Sequence, residues 1–352
     1  MTVWPVLRRG MQRQLRLREG TKLPLIAGHK LLYRCNLECD MCPFWRRPDE
    51  ELLNLEQERR MFGRLADAGV LFLGFEGGEP LLRPDLPSIV KEAHDRFHTS
   101  VVTNGFLLAR RIDEFARYLD FLFVSIDGIG ALHDRLRGIP GSFDRAVKGI
   151  EAARERLPVA MSFTITRHNL DDAIRVLDLA RSLGVGVNYQ VAFDYSTAGA
   201  LSPFGEALRR TLERLRAAKG SGAPIVNSRG YFDSVLRSWF DGGAPWECKP
   251  WLTINVDPTG KIVLPCYVLN EYGGERTIWE TDVAELWQTI DWAPYRSCNR
   301  CALSCYLEPS LFTWASPAMV KDRILDSVVH WIQRPKPAAA PKGAGPVPVR
   351  AS

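Results

Sequence analysis

The chain has no long hydrophobic run and very little histidine. None of its apolar stretches approaches the roughly 20 residues that a helix needs to span a bilayer, so a transmembrane protein is excluded. No secretory signal is recognisable, which argues against an oxidising compartment and structural disulfides. Six histidines occur in 352 residues, and none lies among or beside Cys35, Cys39 and Cys42. A zinc site of the Cys/His type is therefore disfavoured there.

Eight cysteines fall into two groups. Cys35, Cys39 and Cys42 stand together in the string CNLECDMC, and five more lie in the last third of the chain: Cys248, Cys266, Cys298, Cys301 and Cys305. Three thiolates at CxxxCxxC spacing reach three corners of a 4Fe-4S cube and leave the fourth iron open to a ligand that is not protein. Disulfides fit this triad poorly, because one thiol would stay unpaired. The split predicts two separate metal sites.

Charge is modest and concentrated near the N-terminus. The net charge is +5, and much of the excess comes from the arginines at positions 8, 9, 13, 16 and 18, so no nucleic-acid partner is predicted. In the same segment Trp4, Leu7, Met11 and Leu15 recur at helical spacing. Two interpretations stay open. The helix lies on a membrane surface as a peripheral contact, or its apolar stripe packs on the protein with the arginines in solvent.

Strand and helix patterns alternate through the middle of the chain. Apolar runs predict strands at residues 30–33, 70–75, 99–103, 121–126, 159–165 and 185–191. Helical periodicity follows each run. One helix is predicted after Asn54, with Gln57 three residues on and Gly69 as terminator, and another from Asn169 to Gly184. Such alternation predicts a parallel sheet, as either an open doubly wound sheet or a partial barrel.

The last third has a different pattern. The string WLTINVDPTGKIVLPCY predicts two strands around a turn at residues 257–260, and this hairpin lies between Cys248 and Cys266. A hairpin brings its flanks together, so these two cysteines are expected to approach each other. The CxxC pair of Cys298 and Cys301 completes four ligands for an auxiliary iron-sulfur cluster, with tetrahedral zinc as the rival. Cys305 is left as an alternative ligand, a spare thiol or a hydrogen donor to substrate.

Four ordered landmarks carry a family resemblance. The CxxxCxxC triad is followed by GGEP at residues 77–80, TNG at 103–105 and SIDG at 125–128. The chain thereby resembles the radical S-adenosylmethionine (SAM) superfamily, and the hairpin with its cysteines resembles the SPASM or Twitch extension of that superfamily. This resemblance implies an α/β fold: a partial (βα)6 TIM-like barrel with a small C-terminal β-hairpin plus helix cluster-binding domain.

Four segments are expected on this basis. They are a basic amphipathic N-terminal segment at residues 1–25, a radical SAM core at 26–230, an auxiliary-cluster domain at 231–333 and a disordered Pro/Ala-rich tail at 334–352. The hydrophobic content of 46% fits a globular enzyme with one large and one smaller domain.

The resemblance also implies the cofactor site. The amine and carboxylate of SAM would chelate the open iron of the first 4Fe-4S cluster. Glu79 is expected to face the amine, Arg137 the carboxylate and Asn169 the ribose, although Asn169 is also explained as a helix cap. The full set of expected cofactor-binding residues is Gly77, Gly78, Glu79, Thr103, Asn104, Ser125, Asp127, Arg137 and Asn169.

The implied reaction is the reductive cleavage of SAM to a 5′-deoxyadenosyl radical, which abstracts a hydrogen from substrate. Ferredoxin or flavodoxin would donate the electron, which predicts a cytoplasmic enzyme. A fully ligated auxiliary 4Fe-4S cluster favours net oxidation or cross-linking, with that cluster as electron acceptor. The alternatives are a redox-neutral modification, either epimerisation or adenosyl addition, and a non-enzymatic iron-sulfur carrier.

Substrate class stays open between a small molecule, a peptide and a lipid. Only 34 residues precede Cys35, which is short for a separate peptide-binding module, so a peptide substrate is expected to need a partner protein.

Overall fold

The computed structural model of the chain describes residues 3–18, 20–48, 51–271, 273, 274 and 276–311. The predicted tail at 334–352 and the last part of the predicted auxiliary-cluster domain lie outside these residues. Within the described ranges, no helix combines the length and the apolar character that a membrane crossing requires.

Eight strands form one sheet in the order β6-β5-β4-β3-β2-β1-β7-β8. The first six strands are parallel and follow sequence order, so the predicted partial barrel is confirmed and the open doubly wound alternative is wrong. In chain order the elements are α1 (Val3–Arg18), β1 (Ile26–Lys30), α2 (Leu55–Asp67), β2 (Phe72–Glu76), α3 (Leu86–His94), β3 (His98–Thr103), α4 (Leu108–Phe115), β4 (Phe121–Ser125), α5 (Ala131–Arg137), α6 (Ser142–Arg154), β5 (Val159–Ile165), α7 (Asp172–Leu183), β6 (Gly186–Val191), α8 (Gly205–Gly220), α9 (Arg229–Trp239), β7 (Thr253–Val256), β8 (Ile262–Val263), α10 (Val283–Thr289) and α11 (Ser304–Leu311).

Helix α2 forms where its local signals predict. The Asn54 side chain accepts hydrogen bonds from the backbone N–H groups of Glu56 and Gln57, and the Gln57 side chain accepts from Asn54 N, which completes a capping box. The buried face carries Met61, Phe62 and Leu65. Gly69 follows the helix with a φ of +100°, a conformation that favours glycine, so the chain turns there into β2.

The first strand does not lie where its apolar run predicts. A strand is expected at residues 30–33, but β1 ends at Lys30 and pairs with β2 from Ile26 to Lys30. Leu31 N still donates to Glu76 O, after which the chain leaves the sheet. Leu31 and Leu32 are apolar because they are buried beneath the loop that follows, and not because they belong to the strand. This shift places Lys30 at the carboxyl end of β1.

The predicted hairpin is present but belongs to the barrel sheet. Strands β7 and β8 pair antiparallel, as expected for a hairpin, and the Asp257 side chain holds the turn by accepting from the N–H groups of Thr259 and Lys261. Strand β7 also pairs parallel with β1, from Ile26 opposite Thr253 to His29 opposite Val256. The hairpin therefore extends the core. The expected boundary at 230/231 also falls inside α9.

Candidate active site

The first three cysteines open into one cavity at the carboxyl ends of the barrel strands. Cys35, Cys39 and Cys42 lie on the loop after β1 and line this cavity together with the GGEP and TNG segments. The loop is held by its own contacts: Cys42 N donates to Cys39 O at 3.2 Å, and Trp45 Nε1 donates to the same oxygen at 2.8 Å. Three thiols with one open side fit the three protein corners of a 4Fe-4S cluster.

Burial controls the protonation of the Cys35 and Cys39 thiols. It raises the pKa of Cys35 to about 12, and it also raises the pKa of Cys39. The neutral thiol is therefore the stable form at pH 7 when no metal is bound. A metal that binds here must displace these protons, and its positive charge offsets the cost of burying thiolates.

Gly77 and Gly78 are required by backbone packing. A side chain at Gly78 would overlap the carbonyl oxygens of Tyr33 and Arg34, and one at Gly77 would overlap that of Leu32. Gly78 N donates to Leu32 O at 2.7 Å. Both glycines also line the cavity. The GGEP segment thus lies directly against the chain that leads into the cysteine loop.

Glu79 is buried and does not line the cavity, contrary to its expected role beside the SAM amine. One carboxylate oxygen accepts from Leu81 N and from Thr103 Oγ1 at 2.7 Å, and the other accepts from Asn104 N at 2.8 Å. Burial raises the pKa of Glu79 despite these donors. The carboxylate therefore positions Thr103 and Asn104, which do line the cavity.

Asn104 reaches back to the cysteine loop. Its Nδ2 donates to Asn36 Oδ1 at 2.9 Å and lies 3.7 Å from Cys35 Sγ. A polar N–H close to a sulfur of this kind stabilises negative charge on that sulfur. The TNG segment is thereby tied to the first cysteine of the triad.

Arg137 joins the SIDG segment to the cysteine loop. Its guanidinium pairs with the buried carboxylate of Asp127, and its Nη1 lies 3.7 Å from Cys39 Sγ. Asp127 also accepts from Thr164 N at 2.7 Å and does not line the cavity, whereas Ser125 and Arg137 do. Asp127 therefore fixes Arg137 and β5, and the expected direct contact of Asp127 with the cofactor is not supported.

Asn169 does not face the cavity either. Its amide donates to Asp127 O at 2.8 Å and to Thr164 O at 2.9 Å, and its Oδ1 accepts from Thr166 N. Helix α7 begins at Asp172, so Asn169 is also not the expected cap. These bonds use the side chain to join the ends of β4 and β5. Asn169 does not line the cavity in this conformation, and its expected contact with a ribose stays a prediction.

Several cavity residues were missed by the sequence analysis. Lys30 and Glu76, the last residues of β1 and β2, form an ion pair of 3.1 Å, and the Lys30 ammonium lies 3.7 Å from the ring centre of Phe44 and 4.5 Å from that of Tyr267. Ser162, Thr164, Gln190 and Tyr195 complete the polar lining. The alternation of side chains along a strand identifies such residues when the bounds of the strand are predicted correctly. The strand predicted at residues 30–33 begins where β1 ends, so Lys30 was not recognised as its last residue.

Four C-terminal cysteines line a second, smaller cavity. They are Cys248, Cys266, Cys298 and Cys301, and the remaining lining is largely aromatic and aliphatic. Burial raises the pKa of Cys248 and of Cys301 to about 12, and neighbouring cysteines contribute to both shifts. Over the described ranges, no three His, Cys, Asp or Glu side chains are gathered closely enough to hold a single metal ion. Four thiols around an enclosed apolar space fit a fully ligated cluster.

Cys305 lies apart from that cavity. It belongs to the first turn of α11 and its side chain is exposed. Desolvation of the sulfur nevertheless raises the pKa of its thiol well above the usual value, and the charge of Glu76 acts in the same direction. Ser304, the preceding residue, accepts from Asn188 Nδ2 on β6 at 2.9 Å. Cys305 is thus within electrostatic range of Glu76 and Lys30, although it does not line the first cavity.

Comparison with known proteins agrees with this geometry. Residues 30–180 match the family model of the radical SAM superfamily. This part of the chain is a radical SAM domain, and the protein is an enzyme. This family uses a 4Fe-4S cluster and SAM, so the cofactor prediction for the first site is confirmed. Residues 187–325 match a second model, described as a domain of unknown function (DUF3463).

Two curated relatives and one solved structure illustrate the range of proteins to which the chain is similar. The PqqA peptide cyclase of Granulibacter bethesdensis is 26% identical over 300 residues, which cover 77% of this chain and 78% of that protein. The AdoMet-dependent heme synthase of Methanosarcina barkeri is 35% identical over 181 residues, so the chain spans about half (51%) of that relative. Streptococcus suis SuiB bound to its precursor peptide SuiA shares the fold, with a TM-score of 0.65, 18% identity, and coverage of 82% of this chain and 70% of SuiB.

Proposed function

We propose that this radical SAM enzyme abstracts a hydrogen from a peptide and completes a net oxidation or cross-link, with an auxiliary 4Fe-4S cluster as electron acceptor. The arrangement of the C-terminal cysteines carries this proposal. Four of them enclose one apolar cavity, and the fifth, Cys305, stands outside it. A cluster with four protein ligands has no iron open to substrate, so it is suited to electron transfer.

When bound, the first cluster and SAM supply a 5′-deoxyadenosyl radical at the mouth of the barrel. The residues of the chain hold and orient that cofactor. Cys35, Cys39 and Cys42 would hold the cluster, and the backbone of Gly77 and Gly78 would bind the methionyl end of SAM. Arg137, fixed by Asp127, supplies positive charge beside Cys39.

Aromatic side chains between the two cysteine sites keep water from the reacting carbon. Phe44 packs edge-on against Tyr267 at 5.4 Å and against Tyr195 at 6.1 Å, and Phe193 contacts Tyr195 at 5.1 Å. Three of these four rings, those of Phe44, Phe193 and Tyr195, line the first cavity. Excluding water protects a carbon radical from side reactions and strengthens the electrostatic contacts around it.

The polar lining of the cavity favours a peptide over an isoprenoid chain. Lys30, Glu76, Thr164 and Gln190 offer charges and hydrogen-bonding groups that match side-chain and backbone groups of a peptide. The peptide cyclase relative, aligned over most of both chains, supports the same class. A partner protein would deliver the peptide, and ferredoxin or flavodoxin in the cytoplasm would deliver the electron.

A redox-neutral reaction is the second candidate, favoured by the position of Cys305. An exposed thiol within electrostatic range of Glu76 and Lys30, which line the first cavity, could return a hydrogen atom to a substrate radical. Turnover of a peptide substrate in D2O distinguishes the redox-neutral reaction from net oxidation. Deuterium in the product at the reacting carbon would support hydrogen return, whereas loss of two hydrogens without deuterium supports net oxidation.

Anaerobic reconstitution with dithionite and SAM tests the proposed chemistry. The loaded enzyme should release 5′-deoxyadenosine, and a variant with Cys35, Cys39 and Cys42 replaced by alanine should release none. A fully loaded protein that forms no 5′-deoxyadenosine would contradict the proposal. The same triple variant should keep the iron and sulfide of the auxiliary site. If it holds zinc and no iron, the auxiliary-cluster assignment is wrong.

A further inference from the structure

Among the side chains that the structure describes, arginines attach helix α1 to the barrel, whereas the apolar Met11 and Leu15 do not. Arg13 is only 6% exposed, and its guanidinium donates to Leu23 O and Pro24 O, both at 3.0 Å. Arg16 donates to Asp67 O at the end of α2. These acceptors lie at the amino ends of β1 and β2, so α1 sits at the opposite end of the barrel from the cysteine cavity.

One interpretation of the sequence is that the apolar stripe packs on the protein and the arginines lie in solvent. For Met11, Leu15 and Arg13 the structure shows the reverse. Met11 and Leu15, one helical turn apart, are 58% and 59% exposed. Of the four large hydrophobic side chains that are exposed among the described residues, these two and Phe72, at 41%, lie at this end of the barrel. In the sequence, Trp4, Leu7, Met11 and Leu15 are spaced three or four residues apart, which is the spacing of residues on one face of a helix.

The charge of α1 is of one sign. The segment from Val3 to Arg18 contains five arginines and no acidic residue. Arg13 and Arg16 are engaged with backbone carbonyls, and the positive charge of the helix is not neutralised by acidic side chains of its own. A second copy of the chain would bring like charges together at this face, which disfavours self-association through it.

We propose that α1 docks the enzyme on an anionic phospholipid surface, with Met11 and Leu15 in the acyl boundary and the net positive charge of the helix attracting the headgroups. A basic helix with a separate apolar face binds such surfaces through buried apolar area and attraction to anionic lipid together. The proposal does not depend on the reaction. Bound in this way, the cysteine cavity opens away from the membrane.

Vesicle flotation with the full chain tests the proposal. We expect the enzyme to float with vesicles of phosphatidylcholine and phosphatidylglycerol and to bind pure phosphatidylcholine at least about tenfold more weakly. The double variant Met11→Gln, Leu15→Gln should bind anionic vesicles about tenfold more weakly than the parent, because the apolar contribution is lost. Raised salt should weaken the binding of both proteins.

A matched control is Phe204→Gln, since Phe204 is 80% exposed at the start of α8, away from α1. It should bind like the parent. Circular dichroism and iron content should be unchanged in both variants, which shows that each is folded. A parent chain that ignores anionic vesicles, or a double variant that binds them as well as the parent, would overturn the proposal. The first outcome would point to an acidic protein partner for this face.

Discussion

At the scale of single residues, the first cysteine site depends on buried carboxylates that position the residues lining the cavity. Glu79 fixes Thr103 and Asn104, and Asp127 fixes Arg137. The motif strings GGEP and SIDG contain these carboxylates, but sequence cannot distinguish a residue that faces a cofactor from one that positions its neighbour. The distinction depends on burial and on which donors meet each oxygen atom.

Replacement of Arg137 should change the redox properties of the first site more than its assembly. A guanidinium beside Cys39 Sγ stabilises the more negative, reduced state of a cluster there, so Arg137→Gln should lower the reduction potential, and Arg137→Lys should restore part of the difference. Redox titration followed by electron paramagnetic resonance measures this. An unchanged potential with full iron content would contradict the argument.

Cys305 and Cys301 should behave differently although only three residues lie between them. Cys301→Ser should cost about half of the total iron and sulfide, because one of two clusters loses a ligand, whereas Cys305→Ser should keep nearly all of it. Anaerobic iron and sulfide analysis makes the comparison. Equal losses in the two variants would show that Cys305 is a ligand.

At the scale of elements, a buried ionic network joins α2 to the sheet. Glu58 accepts from Arg83 Nη1 at 3.2 Å and pairs with His29 Nε2 at 3.0 Å, and all three side chains are buried. His29 belongs to β1 and Arg83 follows the GGEP segment, so this network supports the strand from which the cysteine loop departs.

Removing Glu58 should therefore destabilise the fold. Glu58→Ala removes the buried carboxylate that Arg83 and His29 share, while Arg83 keeps its pair with Asp85, and we expect a loss of roughly 1.5–3 kcal/mol in the free energy of unfolding. Glu56→Ala is the control, because Glu56 lies on the same helix in an exposed pair with Arg59. Chemical denaturation of both variants measures the difference, and equal stabilities would refute the role of the network.

Elements with strong local signals could be predicted, and those set by distant partners could not. The capping box at Asn54 and the turn at Asp257 are short-range features, and both form as expected. The true position of β1 is decided by its pairing with β2 and β7, which its own apolar run does not record. The prediction that Asn169 caps α7 failed for a similar reason. Its side chain bonds to residues at the ends of β4 and β5, which the local sequence does not indicate.

At the scale of the whole molecule, the C-terminal part is not an appendage to the barrel. Strand β7 covers the edge of β1, and the four residues of β7 are all buried. The local pattern predicts the hairpin in a domain of its own, since pairing between strands more than 200 residues apart leaves no trace in either strand. An uncovered β1 would expose unpaired backbone groups at a sheet edge.

A shortened chain that ends at Phe240, directly after α9, should consequently fail as an isolated core. We expect it to aggregate or to lose the first cluster during reconstitution, because β1 and its cysteine loop lose their neighbour. Size-exclusion chromatography and iron analysis test this, and removal of residues 334–352 alone should have little effect. A soluble, fully loaded short chain would show that the core is independent.

Lys30 gives the two cysteine sites a common support. Its ammonium contacts Phe44, two residues after Cys42, and Tyr267, the residue after Cys266. Iron binding that orders the loop of Phe44 or the loop of Tyr267 would therefore fix the position of the Lys30 ammonium. The fixed ammonium would in turn favour an ordered conformation of the other loop. Each site can still load alone, but at limiting iron supply the loading of one site should favour the loading of the other.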